Sequence, residues 1–282
     1  MKQRQRYVEL PDCWEELTPE DWREVLKIRQ KVVAHGGRYS ELDITTETAR
    51  MLLKNRGVKL QLNNPNYIQL VGQLAKTFSW LWHAEGVTIS LVYKDTRNLI
   101  PKVREWLGPL DHGADLTFGE FRQAFAHLKN YEQDQNPAAL EALAGLLYRP
   151  EASEEQKHTQ QLRRQPYDWD SIKDKIERGS RMKPWQVWGI YAWFAYFCEY
   201  LTTGTFIIDG EEVSFAPIFQ KADQTTPNPS YSGGETGMSQ ICLTLAEGHV
   251  FGTAKDVDRT PLLTVMQKLL MDYRTLMKLK KK

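Results

Sequence analysis

The chain lacks most of the features from which recognisable function classes are built. Cysteine is scarce: Cys13, Cys198 and Cys242 are the only three among 282 residues, far apart and without a C-x-x-C pair. An odd count of scattered cysteines excludes a simple disulfide framework and points to reduced thiols in a cytosolic compartment. Net charge is nearly absent, because 37 Lys and Arg against 36 Asp and Glu leave +1. Bulk charge therefore exerts no general pull on nucleic acid or an anionic membrane. The strong catalytic and cofactor signatures are missing: no G-x-x-x-x-G-K-[ST], no G-x-G-x-x-G after a strand, no H-E-x-x-H and no G-x-S-x-G. His35, His83, His112, His127, His158 and His249 never fall three or four apart, so no helix face offers a metal-binding pair. No cofactor or metal is expected. Long apolar runs are absent too, the nearest being Trp185 to Leu201, broken by Gln186 and Glu199. Seventeen residues sit at the short edge of a bilayer span, and aromatic residues with a glutamate suit a protein core better than lipid. We read it as a buried helix and expect no membrane association. The basic start Met1–Arg6 leads into no apolar segment, so no secretory signal is expected.

What is present is the composition of an ordinary globular protein, 41% hydrophobic and 26% charged, long enough to bury a substantial core. Helix starts are marked by a capping side chain directly before proline at Thr18-Pro19, Asn64-Pro65, Asn136-Pro137 and Thr260-Pro261. The side-chain oxygen accepts an orphan N–H of the first turn, and proline forfeits a donor that had no partner. Behind these caps, Trp22, Val25, Leu26, Val32 and Val33 form one helical stripe ending near Gly36-Gly37. Leu140, Leu143, Ala144, Leu147 and Tyr148 form another, stopped by Pro150. Leu262 to Met277 reads as a long final helix. Thr117 and Glu120 have capping-box spacing ahead of Phe121, Ala124, Phe125 and Leu128.

Strand signals are fewer. Val87 to Leu91 alternates, Val58, Leu60 and Leu62 alternate more briefly, and Asp209-Gly210 between Phe206–Ile208 and Val213–Phe215 reads as a hairpin turn. The expected class is mainly α, within α+β: a multi-helical body carrying a small β-hairpin. Residues 1–150 are expected to form an amino-terminal helical domain. Residues 151–182, charged and proline-punctuated, read as a linker with one short helix. Residues 183–282 read as a carboxy-terminal helical domain containing the hairpin and a mobile loop at 220–237.

Few residues suggest chemistry. Asp111, His112, Asp115 and Glu120 can be drawn as an acid–base cluster, but a polar loop ahead of a capped helix accounts for them. Gly233 to Gly237 resembles an anion-binding nest, yet a flexible linker explains it better because no lysine follows. The aromatic residues of 185–200 surround their helix rather than lining one face, which favours burial over base stacking. The clear charge asymmetry lies at the ends: residues 1–6 carry +3 and Lys268–Lys282 carry +5, leaving −7 for the rest of a chain of net charge +1. Such ends can hold an acidic partner or phosphates, and lysines also offset the dipole of a helix terminus.

A succession of short blocks adds a further reading: Leu10-Pro11 with Trp14–Thr18, Leu116–Phe121, Leu146–Pro150, Leu245–Gly248 and Val250–Gly252. In their order the chain resembles a poorly characterised group of proteins encoded in the tail-morphogenesis region of tailed bacteriophages and prophages, similar to tail assembly chaperones. The resemblance implies a non-enzymatic role in tail assembly, in the host bacterial cytoplasm, with the tape-measure and tail-tube proteins as partners. A structural part of the tail and a nucleic-acid-binding protein using the basic termini are the alternatives. The candidate contact surface is the final helix, through Leu262, Met266, Leu269, Tyr273, Lys278 and Lys280, because a helix–helix groove covers the apolar stripe that a tape-measure helix would expose.

Overall fold

The computed structural model describes residues 7–36, 38–59, 61, 63–85, 88–160, 162–167, 171–219 and 235–280. Leu60, Leu62, Val87 and most of the expected loop at 220–237 lie outside the described residues. The fold is mainly α with short antiparallel strands, as the helix caps and sparse alternation imply. The chain divides into two compact units, residues up to Asp95 with Lys183–Gly189, and Thr96–Met182 with the residues from Ile190 onward.

The first unit contains α1 (Pro19–Ala34), α2 (Glu41–Asn55), α3 (Pro65–Ala75) and a hairpin of β1 (Trp82–Glu85) and β2 (Thr88–Leu91). Thr18 and Asn64 cap as expected, and Ser40 with Asp43 makes a capping box that the sequence reading passed over. The α1 stripe holds for Trp22, Val25 and Leu26 but not for Val33, which is exposed. Trp14 is a hub, its ring 5.4 Å from Trp22, 5.5 Å from Trp80 and 5.0 Å from Tyr93, all edge-on or steeply inclined. Such pairs add roughly 0.5–1.5 kcal/mol each beyond area burial. The hairpin pairs Trp82 with Leu91 and Glu85 with Thr88, and the Trp82 indole N–H donates to Thr48 Oγ1 at 3.1 Å, so a buried polar atom is satisfied.

The second unit begins with β3 (Lys102–Val103) and β4 (Trp106–Leu107), followed by α4 (Phe118–Asp134) and α5 (Pro137–Leu147). β5 (Arg149–Pro150), α6 (Glu154–Gln160) and α7 (Ile172–Ser180) come next. β4 lies between β3 and β5, pairing Trp106 with Pro150 and Leu107 with Arg149. After α8 (Pro184–Thr203), whose first turns belong to the other unit, come β6 (Thr205–Ile208), β7 (Glu211–Ser214), α9 (Ala216–Phe219), α10 (Glu235–Glu247), α11 (Ala254–Arg259) and α12 (Leu262–Lys280). The β6–β7 turn is the one expected: Asp209 and Gly210 both adopt positive φ, 53° and 83°, as a tight hairpin of this hand requires. α8 buries Val187, Ile190, Trp193, Phe194, Phe197 and Leu201. Among the described residues no helix is long and apolar enough to cross a membrane.

Three expectations are corrected. The division near residue 150 does not hold, because Arg149 and Pro150 form a strand inside the second unit. Residues 151–182 are not a linker. Their described part carries two helices, α6 and the short helix expected there, α7, which packs so closely on α5 that a Cβ at Gly145 would overlap the Lys175 carbonyl, and one at Gly179 the Glu141 carbonyl. Two glycines thus let two backbones touch, a contact no charge count reveals. Finally, Thr260 closes α11 instead of capping α12: its hydroxyl donates to the Asp256 carbonyl at 2.8 Å, and the last helix starts at Leu262.

Candidate functional site

The groups with chemical potential gather where α4 begins. Its capping box directs Glu120 Oε2 to accept from the Thr117 N–H at 3.0 Å and fixes the carboxylate at the helix start. β5 supplies Arg149, which follows immediately on the turn of α5. The segment after α6 runs beside β5, with the Ala152 N–H donating to the Arg163 carbonyl at 3.1 Å and the Gln165 N–H to the Pro150 carbonyl at 2.9 Å. This short ladder carries Arg163 and Arg164 to the same place. α11 is pinned alongside, because the Phe118 N–H donates to the Thr260 carbonyl at 2.9 Å and the Leu262 N–H to the Leu116 carbonyl at 2.8 Å.

Two carboxylates and three guanidiniums result. Arg149 Nη2 lies 2.6 Å and Arg164 Nη2 3.3 Å from Glu120 Oε1, while Arg163 Nη2 and Arg164 Nε each lie 3.1 Å from Asp115 Oδ2. Arg164 also donates to the Leu147 carbonyl at 2.6 Å, and Arg163 donates to the Gly108 carbonyl. Glu120, Arg149 and Arg164 are all buried. Satisfaction is incomplete: Nε and Nη1 of Arg149, Nε of Arg163 and Oε1 of Glu120 have no hydrogen-bond partner. Arg149 and Glu120 are thus in charge contact but poorly aligned for a hydrogen bond. Burial lowers the Arg149 pKa to about 10, opposed by the Glu120 charge. Burial likewise pushes the Tyr167 phenol up, Glu120 adding to it.

A cavity of about 450 Å³ opens on this cluster, walled by Asp115, Thr117, Glu120, Arg149, Arg163, Arg164 and Tyr167 and reached by Arg259. A second, of about 140 Å³, shares Arg149, Gln165, Pro166 and Tyr167 and adds Asp174, Lys175 and Arg178. Arg149 is the buried charged side chain that lines both.

The acid–base cluster drawn from the sequence is not assembled. His112 Nδ1 sits 2.6 Å from Thr96 Oγ1, Asp111 accepts from the Asn98 N–H at 2.7 Å, and Asp115 and Glu120 face arginines. Cys198 and Cys242 thiols are pushed up by burial, which disfavours thiolate chemistry. Among the described residues one trio brings ligand atoms within 4.8 Å of each other, Asp12, Cys13 and Glu16. It lies on an exposed turn where Glu16 already accepts from the Asp12 N–H at 3.1 Å.

The candidate contact residues of the last helix separate into two groups. Leu262, Met266 and Leu269 are buried inside the folded chain together with Val265 and Leu270, so they hold α12 in place and are not open to a partner. Tyr273 is half-buried, while Lys278 and Lys280 are exposed. The reading missed their apolar neighbours: Met271, Leu276, Met277 and Leu279 are exposed, Met271 by 63% and Leu279 by 65%. Heptad spacing along α12 contains the signal for Leu276 alone, which continues the row of Leu262, Met266, Leu269 and Tyr273 past the buried residues.

The chain matches no protein-family model, no curated protein and no solved structure.

Proposed function

We propose that this protein is a non-enzymatic assembly factor of a bacteriophage or prophage tail, acting in the host cytoplasm by docking the last turns of α12 on the tape-measure protein. The observation that carries the reading is the uncovered end of that helix. Met271, Leu276, Met277 and Leu279 are exposed beside Arg274, Lys278 and Lys280. Apolar side chains exposed in water and interspersed with basic ones suit a helical partner that offers apolar and acidic side chains. The resemblance in the order of short sequence blocks supports the choice of a tail partner, and the tail-tube protein is the second candidate. A nucleic-acid target would use the lysines but leave four apolar side chains in solvent, so it accounts for less of the surface.

Truncation before Pro261 is a poor test, since it deletes buried core. The double substitution Leu276→Asp, Leu279→Asp changes exposed positions alone. In a pull-down with the tape-measure protein we expect retention by the wild type and at least a tenfold loss in the double variant, the scale of a central interface position. Equal retention, or none by the wild type, contradicts the assignment. Mass spectrometry of purified particles separates an assembly factor, absent from them, from a tail component, present in them.

A further inference from the structure

We propose that the arginine-lined cavity at the start of α4 is a binding site for a small doubly charged oxyanion, a phosphate or phosphate monoester. Charge is the first reason. Among the described residues four guanidiniums, of Arg149, Arg163, Arg164 and Arg259, line the space against the two carboxylates of Asp115 and Glu120, a net of +2. The carboxylates are also partly committed elsewhere, Glu120 Oε2 to the Thr117 N–H and Asp115 Oδ1 to the Leu110 N–H at 2.7 Å. Excess positive charge at a desolvated place is costly unless an anion joins it.

The unmet hydrogen bonds are the second reason, and they are independent of the charge count. Arg149 is 7% exposed, yet its Nε and Nη1 have no partner, and neither does Nε of Arg163. Buried donors are nearly always satisfied. Arg149 lines both cavities. The site is built from four separate chain segments held by backbone pairing and is no surface cluster of lysines.

Size and shape select the ligand. About 450 Å³ falls in the range of small-molecule sites, and a guanidinium fork matches the spacing of oxygens on phosphate. A phosphate monoester places its two charges on one group with three acceptor oxygens, whereas a dicarboxylate divides them over two ends. Arg259 is the exposed member of the lining.

Titration calorimetry of the full chain at constant ionic strength, with inorganic phosphate, phenyl phosphate and succinate as separate probes, tests this. We expect saturable binding of both phosphates, tighter above than below the monoester's second pKa of about 6. Arg259→Gln, an exposed change that leaves the core intact, should weaken it roughly tenfold, the scale of one charged hydrogen bond. Arg163→Gln should do likewise. The proposal fails if neither phosphate binds saturably, if succinate binds as tightly as phosphate, or if both variants bind phosphate as the wild type does. Pull-down of the tape-measure protein by the same variants should be unchanged, which keeps this site's failure distinct from that of the α12 surface.

Discussion

Each unit buries charge against the start of a capped helix, and the two treat it differently. In the first, the Asp21 carboxylate is fully buried and saturated. It accepts from Arg56 Nη1 and Nη2 at 2.8 and 2.9 Å, Asn55 at 2.9 Å, and the Thr18 hydroxyl and N–H at 2.7 and 3.1 Å. In the second, Glu120 occupies the same capping-box position of α4, yet one of its oxygens and two nitrogens of its partner Arg149 lack hydrogen bonds. One arrangement is complete in itself; the other has donors and one acceptor left over. A buried ion pair that satisfies every atom ties α1 to the end of α2, whereas one that does not has capacity for something else.

The largest expected effect breaks the complete arrangement. Asp21→Ala leaves Arg56 and Asn55 without their acceptor and should cost about 3–5 kcal/mol in urea unfolding, as for breaking a buried pair. The pH dependence has a definite sign. Burial by itself raises the Asp21 pKa, but hydrogen bonds from Arg56, Asn55 and Thr18 outweigh it and hold the carboxyl below its ordinary value. A depressed folded pKa means the stabilisation is whole above the unfolded value of about 3.9 and disappears as the pH falls through the lower folded one. Asp21→Asn should therefore flatten that part of the acid limb. An unchanged limb would show that this pair is not what distinguishes the first unit.

A middle-sized effect is expected at the incomplete arrangement. Arg149→Met keeps much of the volume, relieves two unpartnered buried nitrogens, and leaves Glu120 with Arg164 at 3.3 Å. Replacing a poorly satisfied buried ion by an apolar group is often close to neutral, so the cost without added anion should stay below about 2 kcal/mol, while phosphate should no longer stabilise the variant. A loss as large as that for Asp21→Ala would mean that the cluster is a structural brace, and the contrast between the units would collapse.

How much of this was legible in the sequence depends on the range of the interaction. Caps at Thr18, Asn64, Asn136 and Thr117, the Asp209-Gly210 turn and the buried aromatic helix are encoded within a few residues, and they appear where the pattern puts them. The arginine cluster is encoded across about fifty residues, from Asp115 to Arg164. Arg149-Pro150 reads locally as a helix stop, and Arg163-Arg164 as part of a solvated charged stretch. Nothing local distinguishes an arginine in water from one folded over a carboxylate. The same blindness left the expected short helix on the surface of a linker, because the Gly145 and Gly179 contacts that seat α7 on α5 leave no periodic trace. At α12 the apolar period was visible, but not where its cover ends: Leu262, Met266 and Leu269 are buried, while Leu276 and Leu279 are not.

The smallest effect sharpens the contrast by removing burial from it. Lys129 and Glu132 pair at 2.7 Å on the open face of α4, with 50% and 40% of their side chains exposed. The distance is comparable to that of Arg56 with Asp21, so contact geometry alone would rank the two alike. Water screens this pair, and two flexible side chains lose rotamer freedom to form it. Glu132→Gln should accordingly change stability by no more than about 0.5 kcal/mol, and the difference should fade in high salt. If it instead cost as much as Arg149→Met, separation between charges would matter more than desolvation in this protein. The unsatisfied nitrogens of Arg149 would then lose their significance as the mark of a site awaiting a ligand.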